Sequence, residues 1–190
     1  MAELLLLLPI VAFVGLAALT AIVLRRAGTI VARSREMEAF RSSVTDLAKR
    51  VDTSLDGAIG RIDAVRRGQV GAETIGPTIE AATDAVERYA EEARGLRGPA
   101  EAVAIRDDIV QELDRAGRAL AMVEHGATIL AQVRRRGREL EAQTSLKRGY
   151  LNLLHAKEAI ERHALRVEGL ELTAEADGTT PTVTVREPRS

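Results

Sequence analysis

The chain has 190 residues, 27 Lys+Arg against 28 Asp+Glu, no Cys and no Trp; its aromatic residues are Phe13, Phe40, Tyr89 and Tyr150. That length allows one ordinary domain, or a short segment plus one domain. The absence of cysteine excludes a disulfide framework, thiolate zinc sites and cysteine nucleophiles. Balanced charge and few rings argue against nucleic acid as a partner, which calls for a basic face or stacking platforms.

Residues Leu4 to Leu24 carry no charge, and only Pro9, Gly15 and Thr20 interrupt the apolar run. About 20 such residues in a helix span a bilayer core of roughly 30 Å, so 4–24 reads as a transmembrane helix and the chain as single-pass. The competing reading is a cleaved signal peptide. It fits less well, because residues 1–3 hold Glu3 and no Lys or Arg, and the apolar run exceeds the roughly 7–15 residues of a signal core. Arg25, Arg26, Arg33 and Arg35 follow the run, with no acid between residues 4 and 35. Positive flanks stay on the cytoplasmic side, which predicts the N-terminus outside and residues 25–190 cytoplasmic, at an inner membrane. The same arginines would attract anionic headgroups, at about 1 kcal/mol each. Arginine outnumbers lysine 24 to 3, a bias that points to a GC-rich bacterial genome.

The next segment, 25–67, reads as a juxtamembrane amphipathic coiled-coil helix. Ile30, Met37, Val44, Val51, Ala58 and Val65 repeat at seven, accompanied by Phe40, Leu47, Leu55 and Ile62. The companion row slips once by one residue, as a straight 3.6-residue helix does against a 3.5 repeat. Whether this helix continues from the membrane helix turns on Ala27-Gly28, a place where it could bend. Gly68, Gly71, Gly76 and Pro77 then punctuate the chain, and Pro at a first turn opens a second helix at about 77–97. Its stripe is Ile79, Ala82, Val86, Tyr89 or Ala90, Ala93 and Leu96. Gly98-Pro99 separates it from a third helix at 99–142. There Ala102, Ile109, Ala116, Val123 and Leu130 form one row, with Leu113, Leu120 and Ala127 beside it. Thr144 and Ser145 read as N-caps of a fourth helix at 145–168, striped by Leu146, Leu153, Ile160 and Val167.

Each of these helices is apolar on one side only and must bury that side. The fold class is therefore all-α: an N-terminal transmembrane helix, then an elongated helical bundle or coiled coil over 77–168 and the preceding helix. The stripes could be satisfied within the chain, by self-association or by a protein partner. The tail, 169–190, alternates Leu170, Leu172 and Ala174 with polar residues ahead of Asp177-Gly178. This pattern reads as disordered tail or a short β-hairpin.

Chemistry-bearing patterns are few. A di-iron bundle needs Glu-x-x-His, but Met122, Asn152 and Ile160 stand three residues before His125, His155 and His163. His155 and Glu158 share a helix face, which is thin support for a metal. No Gly-Lys pair marks a phosphate loop and no Gly-x-Ser-x-Gly marks a serine nucleophile. No catalytic residue, metal ligand or cofactor is therefore expected. The strongest charge feature, Arg134-Arg135-Arg136 with Arg138, reads either as a basic helix end or as a contact for headgroups or an acidic protein partner. These features together predict a non-enzymatic, membrane-anchored scaffold, tether or assembly protein. The alternative is a signal-transducing coiled-coil component, and a lesser one a metal-binding or enzymatic bundle.

Overall fold

The computed structural model describes the backbone of residues 2–132 and 137–170, and the side chains of those residues outside 2–19, 21–24 and 26–30. It is all-helical: α1 (Ala2–Arg66), a 3-10 turn (Ala72–Thr74), α2 (Gly76–Gly95), a second 3-10 turn (Ala100–Ala102), α3 (Val103–Ala131) and α4 (Glu139–Glu168).

Local chemistry accounts for the boundaries. Gly68, with φ 71, ends α1: its N–H donates to Val65 O and that of Gln69 to Ala64 O, each at 2.9 Å. This pair of bonds satisfies carbonyls that the helix end would otherwise leave open, in the one conformation glycine adopts without strain. Pro77 lies in the first turn of α2, and α2 stops where Leu96 turns extended at ψ 125. Pro99 heads the 3-10 turn that leads straight into α3.

The seven-residue rows become the core. Met37, Phe40, Val44, Leu47, Val51, Leu55, Ala58, Ile62 and Val65 of α1 are buried, as are the main rows of the other three helices. Among the predicted stripe residues, Tyr89, Leu96 and Leu130 are only half-buried, as is Tyr150 beside the α4 row. The helices pack as a ring in chain order, α1 against α2 and α4, and α3 against α2 and α4. Cross-helix pairs set the directions. Arg50 of α1 meets Glu92 of α2, Arg94 of α2 meets Asp114 of α3, and Lys157 of α4 meets Asp52 of α1. The result is an up-down-up-down four-helix bundle, in which each helix's apolar stripe is buried by the others.

Small residues let α3 and α4 approach most closely. A Cβ on Gly149 would stand 2.7 Å from Ala119 O, and one on Gly126 would stand 2.8 Å from Ala142 O. At the other end of the bundle, the α2–α3 connection lies over Phe40, whose ring would be 2.7 Å from a Cβ at Gly98.

One sequence expectation changes. The third helix does not reach residue 142, and Thr144 and Ser145 are not N-caps. Helix α3 ends at Ala131 and α4 begins at Glu139. Gly137, at φ 87, takes the left-handed conformation in the connection, and its N–H donates to Glu139 Oε2 at 3.1 Å. Ser145 lies within α4 and donates instead across the helix pair to Met122 O at 2.8 Å. The sequence left continuity at Ala27-Gly28 open, and α1 runs through it as one helix from Ala2 to Arg66. At 1.5 Å per residue its 65 residues extend about 95 Å.

Among the described residues no helix is long and apolar enough to cross a membrane. The side chains of the 4–24 run, Thr20 excepted, lie outside the described residues, as does the tail from 171 onward. Of the predicted tail only Gly169 and Leu170 are described, and Leu170 is buried at 3% exposure.

Candidate functional surfaces

Between the apolar run and the bundle, α1 forms a stalk whose described side chains are exposed. Arg25 and all side chains from Val31 to Glu36 are exposed. Arg33 pairs with Glu101, a largely buried carboxylate in the α2–α3 connection, and so ties the stalk to the top of the bundle. Glu101 Oε2 is buried with no hydrogen-bond partner. No ion pair is found for Arg35 among the described residues, and the side chain of Arg26 lies outside them. The four predicted flanking arginines are thus split, with one engaged by the bundle and Arg25 and Arg35 facing water.

Just below, Arg41 anchors the end of α4 to α1. Its Nε donates to Val167 O at 3.2 Å and its terminal nitrogen donates to Leu170 O, while Glu38 Oε2 lies 3.4 Å from it. The last carbonyls of a helix lack intrahelical donors and carry its negative dipole end, so a guanidinium there answers both.

Midway along the bundle, the α1–α4 seam holds a polar cluster that sequence reading missed. Lys157, with its side chain 16% exposed, is 2.6 Å from Asp52 and also pairs with Asp56. Burial alone would lower the Lys157 ammonium, but the hydrogen bonds and charges of Asp52 and Asp56 outweigh it and hold it above its usual value. The Lys157 hydrogen bond holds Asp52 below the usual carboxylate range. Partial burial, then Asp52, pushes Glu161 up. The only hint in the sequence was the i, i+4 spacing of each pair, Asp52–Asp56 and Lys157–Glu161, on facing helices.

The three histidines fall apart in space. His125 lies 3.4 Å from Glu141, His163 lies 3.7 Å from Asp108, and His155 is exposed. Burial lowers the His163 imidazole, Asp108 opposes that shift, and Arg166 adds to it. Among the described residues no group of three or more His, Asp or Glu could hold a metal ion.

At the far end of the bundle, Arg66 stacks on the Tyr150 ring at 5.2 Å, which marks where α1 stops beside α4. Residues 139–149 of α4 therefore lie past the end of α1, together with the last turns of α3. Arg138 is bound there by Glu141 at 3.0 Å. That hydrogen bond, with help from His125, takes the Glu141 carboxyl down to about 2. Arg134, Arg135 and Arg136 lie outside the described residues, in the connection between α3 and α4.

The outer side of the α3–α4 pair carries a shallow groove in two joined parts, of about 340 and 600 Å³, which meet at Met122. Its α3 edge is Gln111, Arg115, Arg118, Met122 and His125, and its α4 edge is Glu141, Ser145, Arg148 and Asn152. Both edges follow alternating four- and three-residue steps, like the core rows, but are mostly polar and so escaped a search for apolar stripes. No family model, curated protein or solved structure matches this chain.

Proposed function

We propose that this chain is a single-pass membrane protein whose four-helix bundle serves, without catalysis of its own, as a scaffold, tether or assembly partner at the inner face of a bacterial membrane. One observation carries the reading: α1 is a single helix that leads from the apolar run at 4–24 through the exposed arginine-bearing stalk into the bundle core. A bundle mounted on such a helix stays near the surface that holds the helix, which raises its effective concentration toward any partner there. The apolar stripes of the bundle are buried within the chain. A partner would therefore meet the polar outer faces or the stalk, and anionic headgroups would meet Arg25 and Arg35.

The same continuity favours a second reading, in which the rod carries a rotation or association signal into the bundle. Leu16 and Val23 stand 14 and 7 residues before Ile30, so the seven-residue spacing of the sequence can be followed back through the junction.

Alkaline carbonate extraction, with reporter fusions after Ser190, tests the placement. The full chain is expected to stay with the membrane pellet, and a truncation starting at Thr29 to be released. A reporter active only in the cytoplasm should work, and one active only outside should not. Carbonate release of the full chain would overturn the anchor, and the opposite reporter pattern would reverse its orientation.

A further inference from the structure

We propose that the outer groove between α3 and α4 is a docking site for an acidic amphipathic helix of a protein partner. This deepens the scaffold reading by naming the chemistry of what is held. Three observations carry it.

The first is shape. Two edges stepping by four and three residues, on antiparallel helices, form the seam into which a further helix packs its side chains. The seam runs from Gln111 past His125 to Leu140, roughly 25 Å, or about 16 residues of helix. Met122 lies midway along its α3 edge at 40% exposure and Leu140 at its end at 77%. From α4, Ser145 Oγ donates to the Met122 carbonyl at 2.8 Å, and Asn152 Nδ2 lies 3.9 Å from the Met122 sulfur. An exposed apolar side chain among polar neighbours is a ready anchor point.

The second is charge. Glu112 is paired with Arg115, and Glu141 with Arg138 and His125. Arg118 on one wall and Arg148 on the other have no ion pair among the described residues. The lining thus pairs off both of its acids and leaves two guanidiniums, one on each wall, facing solvent beside Met122. Carboxylates on the flanks of an apolar stripe complement this pattern, because guanidinium binds carboxylate in a two-pronged fit.

The third is position. Arg148 lies just beyond the level of Arg66, 42 residues along α1 from Leu24, or roughly 60 Å. A bilayer holding residues 4–24 is too distant to fill the groove of an upright bundle. A second copy is also disfavoured, because a two-fold contact through this seam would set Arg118 and Arg148 against their own kind.

The test uses the full chain purified in detergent and two synthetic 16-residue helical peptides. Both carry leucines in four- and three-residue steps, and the remaining positions are Glu in one and Lys in the other. The acidic peptide is expected to bind and the basic one not to bind. Affinity should fall steeply with salt. Arg118→Glu with Arg148→Glu should weaken binding by at least about tenfold, and Met122→Glu by a similar factor. Arg61→Glu with Arg162→Glu, the same change of charge on other exposed faces, should leave it unaltered, and circular dichroism should show every variant folded. Absence of acidic-peptide binding, or equal loss in the Arg61/Arg162 variant, would overturn the proposal. So would vesicles of anionic lipid displacing the peptide, a dimer that dissociates with the Arg118/Arg148 change, or binding seen only after residues 171–190 are removed. These outcomes identify lipid, a second copy or the chain's own tail as the occupant. Binding in detergent does not depend on membrane placement in the cell, so its failure leaves the carbonate result standing, and the reverse holds too.

Discussion

Gly149 and Gly60 show how the same residue type plays opposite parts in one bundle. At Gly149 a Cβ would stand 2.6 Å from Val123 Cγ2 and 2.7 Å from the Ala119 carbonyl, so alanine forces α3 and α4 apart. At Gly60, on the exposed side of α1, a Cβ would meet nothing within 4 Å. Gly149→Ala should cost about 1–3 kcal/mol through overpacking, more than the roughly 1 kcal/mol that helix propensity returns. Gly60→Ala should raise stability by about 0.5–1 kcal/mol. Urea unfolding of both variants checks the pair, and matching signs would refute the packing described. His163 supplies a pH signature at the same scale. Its folded pKa is depressed below 6.5, by burial first, against Asp108 and Glu112 and with Arg166 and Arg162. The unfolded state therefore takes up the proton first as pH falls through about 6.5, and stability declines there until the folded imidazole also titrates. Above pH 7 the group contributes no slope. Denaturation midpoints between pH 5 and 7.5 should lose this component in His163→Gln. An unchanged slope would place the titration elsewhere.

At the scale of elements, the closing contact of the ring lies between the start of the α1 core and the end of α4. Arg41 donates to Val167 O and Leu170 O, and so satisfies carbonyls of a helix terminus that has no side-chain cap of its own. Arg41→Met keeps the apolar stem and removes the donors, and should cost about 1–2 kcal/mol. The loss should appear in hydrogen exchange as reduced protection confined to the last turns of α4. Uniform loss across the bundle would mean that Arg41 serves the core rather than the cap. Which elements were legible in the sequence follows from where the information is stored. The rows Met37–Val65, Ile109–Val123 and Leu146–Val167 are written as periodic apolar side chains, and burial by the other helices is their direct consequence. The start of α4 follows a glycine: Thr144 and Ser145 resemble caps in isolation, but Gly137 at φ 87 precedes an earlier helix start and Ser145 spends its hydroxyl across the helix pair. The Lys157 cluster and the outer groove were illegible for a different reason. Both depend on which polar faces two helices present to each other or to solvent, and a periodic apolar search passes over such faces. The basic cluster at 134–138 was visible as composition, whereas the pairing of Arg138 with Glu141 required coordinates.

At the scale of the whole molecule, one helix carries the apolar run and the stalk and then serves as the first helix of the bundle. The ring order keeps α1 in contact with both α2 and α4, so a force on α1 reaches the bundle along two seams rather than one. The Arg33–Glu101 pair adds a third attachment, above the core. These attachments make the stalk stiff only if the helix passes Ala27-Gly28 unbroken, and both functional readings depend on that. The most direct measurement is the electron–electron distance between nitroxide labels at positions 25 and 61 in the full chain, reconstituted in lipid nanodiscs. A continuous helix over these 36 intervals predicts a narrow distribution near about 54 Å. A broad distribution centred below about 40 Å, or a chain that stays out of the nanodiscs, would contradict it.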